Sequence, residues 1–386
     1  MKTNKLLNNK MCAIIGNEHE YNGLLPLTSN RPLSTLYFDC KYRIMDFALS
    51  SVVNANIKNV FMIMNEGRIK SIFDHLGGGR EWGLDSIGSY QYTSFYQDIL
   101  RRKAEGKTYF DDVIDYLQKS KATYTVFISN KILANVDLRA VLKIHQNQKN
   151  AITAVFKRVK REDIANDDQI LELSENGAIT DTKKFNDLSD KDDIYNLAMG
   201  FFIANTDWLI NALYVGQNAG ASTSIEEFLI SELTKAKASA YEYTGYMSNI
   251  YNIKNYYKAN MNMLDPEKFN SLLFSSQKVI TRTKNEVATY FSATSEICLS
   301  QFATGCIIRG KIDHSLISRR SLVETGAIVK DSIIMGSANI GENAIIKYAI
   351  LDKNVRVDPG VKIEGTTDKP VVIEKNKHIT ADVFGG

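Results

Sequence analysis

No run of 18 apolar residues occurs anywhere in the chain, and its first ten residues, MKTNKLLNNK, contain no apolar signal core. Membrane spanning and secretion are both disfavoured, and the cytoplasm is the expected compartment. The four cysteines, Cys12, Cys40, Cys298 and Cys306, show no CxxC spacing and no nearby histidine. That argues against a zinc site or a disulfide framework and for buried apolar thiols in a reducing environment. The five histidines, His19, His75, His145, His314 and His378, form no ligand spacing and are expected at the surface. Charge of one sign is lacking too: 47 basic against 44 acidic side chains leave +3, too weak a field to hold nucleic acid or a membrane surface. Lys2, Lys5 and Lys10 read as a solvated tail. With 44% hydrophobic and 24% charged residues the chain has no signature of disorder, and 386 residues call for two domains.

What is present is an alternation of buried strands and amphipathic helices. MCAIIG at 11–16 and VFMIM at 60–64 read as strands. Between them, residues 41–57 place Ile44, Phe47, Ala48, Val52 and Ala55 on one helical face. This is the opening of a βαβ unit and hence of a parallel sheet. The pattern continues with a helix over 111–119, a strand over 124–129, a helix over 138–148 and a strand over 151–159. A polar stretch, 163–195, reads as a hairpin plus loops with ILEL at 170–173 as one arm. NLAMGFFIAN is a further strand, helices follow over 206–214 and 224–238, and IKNYYKANMNML at 253–264 closes the domain. LGGGREWG at 76–83 follows no buried strand directly and reads as a loop.

Beyond residue 295 the period changes. Leu316, Leu322, Ile328, Ile334, Ile340 and Ile346 recur every six residues, and after a slip Leu351, Val357 and Ile363 resume the spacing. Six fits neither a helix nor hairpin strands; it is the hexapeptide repeat of a parallel β-helix, whose triangular coils stack one aliphatic layer per face. The expected architecture is therefore a Rossmann-like α/β mixed-sheet domain over 11–265, a looser linker over 266–295, and a left-handed parallel β-helix over 296–375.

KYRIMDFALSSVVNANIKNV at 41–60, with MGFFIAN, NYYKANMNML, GCIIRGKI and DSIIMGSANIGENAII, resembles the ADP-glucose pyrophosphorylase family, the glucose-1-phosphate adenylyltransferases of glycogen synthesis. By that resemblance the first domain is a nucleotide-sugar-transferase fold. The family's glycine- and arginine-rich loop after the first strand cradles the triphosphate through backbone N–H groups. This chain has GNEHEYNGLLPLT there, which puts Glu18, His19 and Tyr21 on glycine positions and Glu20 and Gly23 on arginine positions. Leu33 stands where the family has its phosphate lysine. The two metal-binding aspartates correspond to Asn130 and Asn249, so both carboxylates that would hold Mg²⁺ have become amides.

The resemblance thus implies a chain incompetent by itself, with catalytic residues none and no metal or cofactor of its own. Lys184 falls near the family's sugar-phosphate lysine and reads equally well as a surface lysine. Arg31 and Arg43 match arginines of the family's phosphate-binding effector site, with Lys41 beside them; the competing reading is ion pairing with Asp39 or Asp46. The chain is most like the regulatory, GlgD-type subunit of bacterial members. Such a subunit is expected to join a catalytic ADP-glucose pyrophosphorylase subunit in a hetero-oligomer, a heterotetramer, with ATP and Mg²⁺ at that partner and a phosphorylated effector as ligand. The rival expectation is an active sugar-1-phosphate nucleotidyltransferase with unorthodox metal ligands.

Overall fold

The computed structural model describes residues 10–86, 88–188, 193–274 and 277–385; Lys2 and Lys5 of the basic tail lie outside them. The chain divides into two compact units, Met1–Glu20 with Phe47–Asn249 and Ser276–Ile280, and Tyr21–Asp46 with Ile250–Ser275 and Thr281–Gly386.

In chain order the first unit contributes strands β1 (Met11–Asn17), β2 (Asn59–Met64), β3 (Tyr90–Phe95), β4 (Tyr124–Ser129), β5 (Ile132–Ala134), β6 (Ile152–Lys160), β7 (Gln169–Leu173), β8 (Ile179–Lys184), β9 (Ile194–Asn205), β10 (Ala238–Glu242) and β11 (Met247–Asn249). The sheet runs β8-β7-β9-β4-β1-β2-β3, with β6 also beside β9 and β10 beside β6. β1 is parallel to both neighbours, Ile14 facing Phe61 on one side and Phe127 on the other, whereas β9 is antiparallel to β4. Every residue of β1 is buried, as a central parallel strand covered on both faces must be.

Helices α1 (Ile44–Asn54), α2 (Lys70–Leu76), α3 (Tyr96–Ala104), α4 (Asp111–Ser120), α5 (Leu138–Gln148), α6 (Thr206–Asn218) and α7 (Ile225–Glu232) alternate with the strands. The helix expected over 224–238 ends at Glu232, and Ala238 already belongs to β10. α3 and β3 carried no strong signal, because β3 is an edge strand whose side chains are mostly exposed or half-buried. LGGGREWG is a loop, with one short turn that buries Trp82. Two histidines expected at the surface are buried instead: His75, and His145, whose ring nitrogens meet Thr153 and Asn205.

The second unit contains three parallel sheets of two- and three-residue strands, two of six strands and one of five among the described residues, successive coils adding strands to each in turn. This is a parallel β-helix. Ile312 pairs with Val329 and Val329 with Ile346, so one coil takes 17 residues, not 18. The interior column is Ile317, Val323, Val329, Ile334, Ile340 and Ile346, with one side of each coil a residue short. The strict six-residue series therefore drifts: Leu322 and Ile328 sit one residue before the interior positions and are only half-buried.

The expected domain limits are corrected as well. Residues 266–295 are not simply a linker. Pro266–Leu273 is a helix (α9), capped by Asp265, whose carboxylate accepts from the N–H groups of Glu267 and Lys268, with proline in the first turn where a missing N–H costs nothing. The first coil strand is Tyr290–Phe291 and the last is Val383–Phe384, beyond the limits 296 and 375. Residues 21–46 and 250–265 group with the coil rather than with the α/β unit.

Candidate functional site

The carboxyl ends of β1 and β4 lie side by side, Gly16 opposite Ser129, at the edge where parallel α/β sheets bind ligands. Asn130 follows β4 and is buried; its Nδ2 donates to the Gly16 carbonyl at 3.1 Å and to Asn17 Oδ1 at 2.8 Å. Asn249 ends β11, opposite Ile132 of β5, and its Nδ2 donates to the Asp163 carbonyl at 3.1 Å and to the Asp168 carboxylate at 2.5 Å. Both amides thus spend their donors on acceptors that an aspartate would repel.

A cation of the chain itself shares the Asp168 carboxylate with Asn249. Lys131 Nζ donates to the Asp168 carboxylate and lies 3.5 Å from Asp167, with Lys131 and Asp168 side chains only 11% and 5% exposed. Burial lifts the Asp168 carboxyl above its usual range, even against Lys131, the Ala165 N–H and Asn249. Mg²⁺ wants anionic oxygens, and among the described residues no three His, Cys, Asp or Glu side chains come together to supply them. The donor set of two amides and a carboxylate already bound to an ammonium does not fit a dication.

The loop after β1 is filled by its own side chains. Glu18 is buried and burial raises its carboxyl; its Oε1 accepts from Ser224 Oγ at 3.3 Å. His19 Nε2 lies 3.0 Å from Glu226 on α7. Burial disfavours the imidazolium, but the hydrogen bond and charge of Glu226 and the charge of Glu18 outweigh it and lift His19 to about 9. Glu226 is held below its usual value by His19 and by Ser129 despite burial. Gly200 permits this approach: at φ 71, a Cβ there would stand 2.6 Å from Ser129 and 2.7 Å from Glu226 Oε1. Glu20 pairs with Arg68 at 3.1 Å. Glu20 is therefore matched by Arg68, whereas one Glu18 carboxylate oxygen is buried without a hydrogen-bond partner among the described residues.

Leu33, which the resemblance sets against the family's phosphate lysine, is buried in the turn Leu33–Thr35 of the second unit. Lys184 is exposed at the end of β8, opposite Gln169 of β7 and so one residue along from Asp168, the partner of Asn249 and Lys131.

The arginines form a separate cluster within the second unit. Arg31 is buried; its Nη2 is bound to Asp352 and its Nε donates to the Leu27 carbonyl at 3.0 Å. The Arg43 guanidinium stacks 3.4 Å from the Tyr37 ring centre and donates to the Thr35 carbonyl at 2.6 Å, while its backbone N–H donates to Asp46. Burial lowers the Arg43 guanidinium below its usual value, and Arg31 and Arg319 add to that. Tyr37 reports the field of the cluster: burial would raise its hydroxyl, yet Arg43, Lys353, Arg319 and Arg31 together bring it below the ordinary value. Lys41 does not join this group; it is exposed, beside Tyr42 and Asp39. Arg319 and Lys353 escaped the sequence reading. Both lie in the coil, where the six-residue repeat marks only the aliphatic positions.

Residues 22–265 match the family described as nucleotidyl transferase, and residues 286–382 match the GlmU-like C-terminal hexapeptide family. The chain is 27% identical to the glycogen biosynthesis protein GlgD of Bacillus subtilis (strain 168), over 96% of this chain and 97% of that protein. It is 25% identical to the glucose-1-phosphate adenylyltransferases of Bacillus cereus (strain ATCC 10987 / NRS 248) and Bacillus anthracis, over 92% of this chain and 95% of each relative. Among the described residues no helix is long and apolar enough to cross a membrane.

Proposed function

The chain belongs to the nucleotidyl transferase family, and from that premise we propose that it is a regulatory, non-catalytic subunit of glucose-1-phosphate adenylyltransferase in glycogen biosynthesis. It joins a catalytic homologue in a hetero-oligomer, a tetramer by the family resemblance, in the cytoplasm. The partner holds ATP and Mg²⁺ and converts ATP and glucose 1-phosphate into ADP-glucose and pyrophosphate; this chain tunes that activity and holds no metal itself.

The observation that carries this reading is the Lys131–Asp168–Asn249 linkage, a built-in ammonium and amide where nucleotidyl transfer needs a dication on carboxylates. An effector fits the same reading. Arg31, Arg43, Arg319 and Lys353 surround Tyr37 with guanidinium and ammonium groups, the chemistry that takes phosphate. Arg31 is already matched by Asp352 and Arg319 lies 3.9 Å from Glu286, so Arg43 is the donor best placed for a phosphorylated effector, with Arg319 beside it. Lys41 serves as a flanking surface charge.

The test is an assay of the purified chain with ATP, Mg²⁺ and glucose 1-phosphate, first alone and then with a catalytic homologue. The lone chain is expected to show no turnover, and the mixture to exceed the catalytic subunit by itself or to answer differently to phosphorylated effectors. Turnover by the lone chain would overturn the proposal in favour of an active transferase with unorthodox ligands.

A further inference from the structure

Apart from both sites, the second unit encloses a cavity of about 520 Å³ between helices α8 (Ile253–Met261) and α9 and one corner of the coil. That volume is in the range that admits a small metabolite. Its coil wall is unusual. Leu299, His314, Asp331 and Tyr348 stack one per turn at that corner, at φ 41, 44, 46 and 47. A left-handed backbone is unfavourable for a bulky L-residue, and the neighbouring corner column meets the same demand with Gly326, Asn343 and Gly360. Leucine and tyrosine at such corners gain nothing from the backbone, and Leu299 gains little from packing, being 70% exposed. Their side chains are therefore what the corner presents to the cavity.

The polar groups there are oriented. His314 Nδ1 donates to Asp331 Oδ1 at 2.7 Å, which fixes the ring and leaves Nε2 as its remaining polar atom. Tyr257 Oη donates to the Asp331 carbonyl at 2.6 Å, tying α8 to the same corner. Lys254, Lys258 and Lys268 line the helical side. Lys254 meets Asp368 at 2.6 Å and Lys268 meets Asp265 at 3.4 Å, in pairs whose exposure makes them cheap to open toward a stronger anion.

We propose that this cavity binds a small organic phosphate carrying a planar ring. The phosphate takes the lysines, and the ring lies against Tyr348, Leu299 and the His314 imidazole. The site shares no residue with the Arg43 and Arg319 cluster, so it is a second ligand site of the chain.

Calorimetric titration of the full chain with phenyl phosphate, uridine 5′-monophosphate, uridine and inorganic phosphate tests it. Both ring phosphates are expected to bind saturably and to be displaced by each other. His314→Asn and Tyr348→Asn should each weaken them by about tenfold, the effect of losing one good contact to a charged or stacked group. Asparagine accepts a left-handed corner, so both variants should keep or raise the thermal midpoint. Arg43→Gln should leave unchanged the binding event that the corner variants weaken, whatever it removes at the arginine cluster. If a corner variant fails to fold, the Lys254→Met, Lys258→Met double variant supplies the same loss. Binding unaffected by the corner or lysine variants, loss of that same binding event in Arg43→Gln, uridine binding as tightly as its monophosphate, or no saturable binding of either ring phosphate overturns the proposal.

Discussion

Asn130 and Asn249 do more than omit two charges. Each donates through Nδ2 to two oxygens, so an aspartate at either place would set a carboxylate against acceptors with no proton between them. Asn130→Asp and Asn249→Asp should each cost about 1–3 kcal/mol of stability, read as a lower urea midpoint, and the double variant should regain no turnover. A gain in turnover would show that the lost carboxylates were the sole defect. The resemblance pointed to these two amides by motif position alone. The ion pair that explains them was not legible, because Asp168 lies 37 residues past Lys131 in a polar stretch without periodicity.

His19 makes a second prediction at the same scale. Its folded value, about 9, stands above its ordinary 6.5, so the stabilisation it provides is complete below about pH 6.5 and is lost as pH rises through about 9. Denaturation midpoints should fall across that window in the native chain, and His19→Gln should flatten the fall. An unchanged slope would mean that Glu226 does not hold the imidazolium.

At the scale of elements, what the sequence disclosed tracks how strongly burial constrains each segment. β1, β4 and α5 are buried on a face or on both, and their limits follow from apolar pattern. β3 lies at a sheet edge with little to bury, and α9 is specified by its cap rather than by a long stripe; neither was legible from periodicity. The coil was legible as a repeat but not in phase, because a 17-residue turn cannot keep a strict spacing of six. The corrected phase has a measurable consequence. Ile346 is fully buried in the interior column whereas Ile328 is half-buried outside it. Ile346→Ala should cost about 2–5 kcal/mol, and Ile328→Ala distinctly less. Equal losses in chemical denaturation would return the coil to the strict repeat.

For the whole molecule, the question is whether a chain with a buried lysine–aspartate pair beside Asn249 senses a ligand. The arginine cluster argues that it does. Arg43 is stacked on Tyr37 with Arg319, Lys353 and Arg31 near enough to pull the Tyr37 hydroxyl down, an excess of cations that Asp352 on Arg31 and Glu286 beside Arg319 offset only in part. A phosphate ester bound there stabilises the folded state by mass action, about 2.7 kcal/mol at a hundredfold excess over Kd. The thermal midpoint of the isolated chain should therefore rise with a sugar phosphate, and the rise should shrink as added salt screens the cluster. Arg43→Gln and Arg319→Gln should each remove most of the ligand-induced rise, while Lys41→Gln, whose side chain points to solvent beside Tyr42, should leave it nearly intact. In a complex with the catalytic homologue the same two variants should blunt the response to that sugar phosphate and leave the unliganded rate alone. If Lys41→Gln instead proved the damaging change, the effector would be bound at the exposed end of the motif and not around Tyr37.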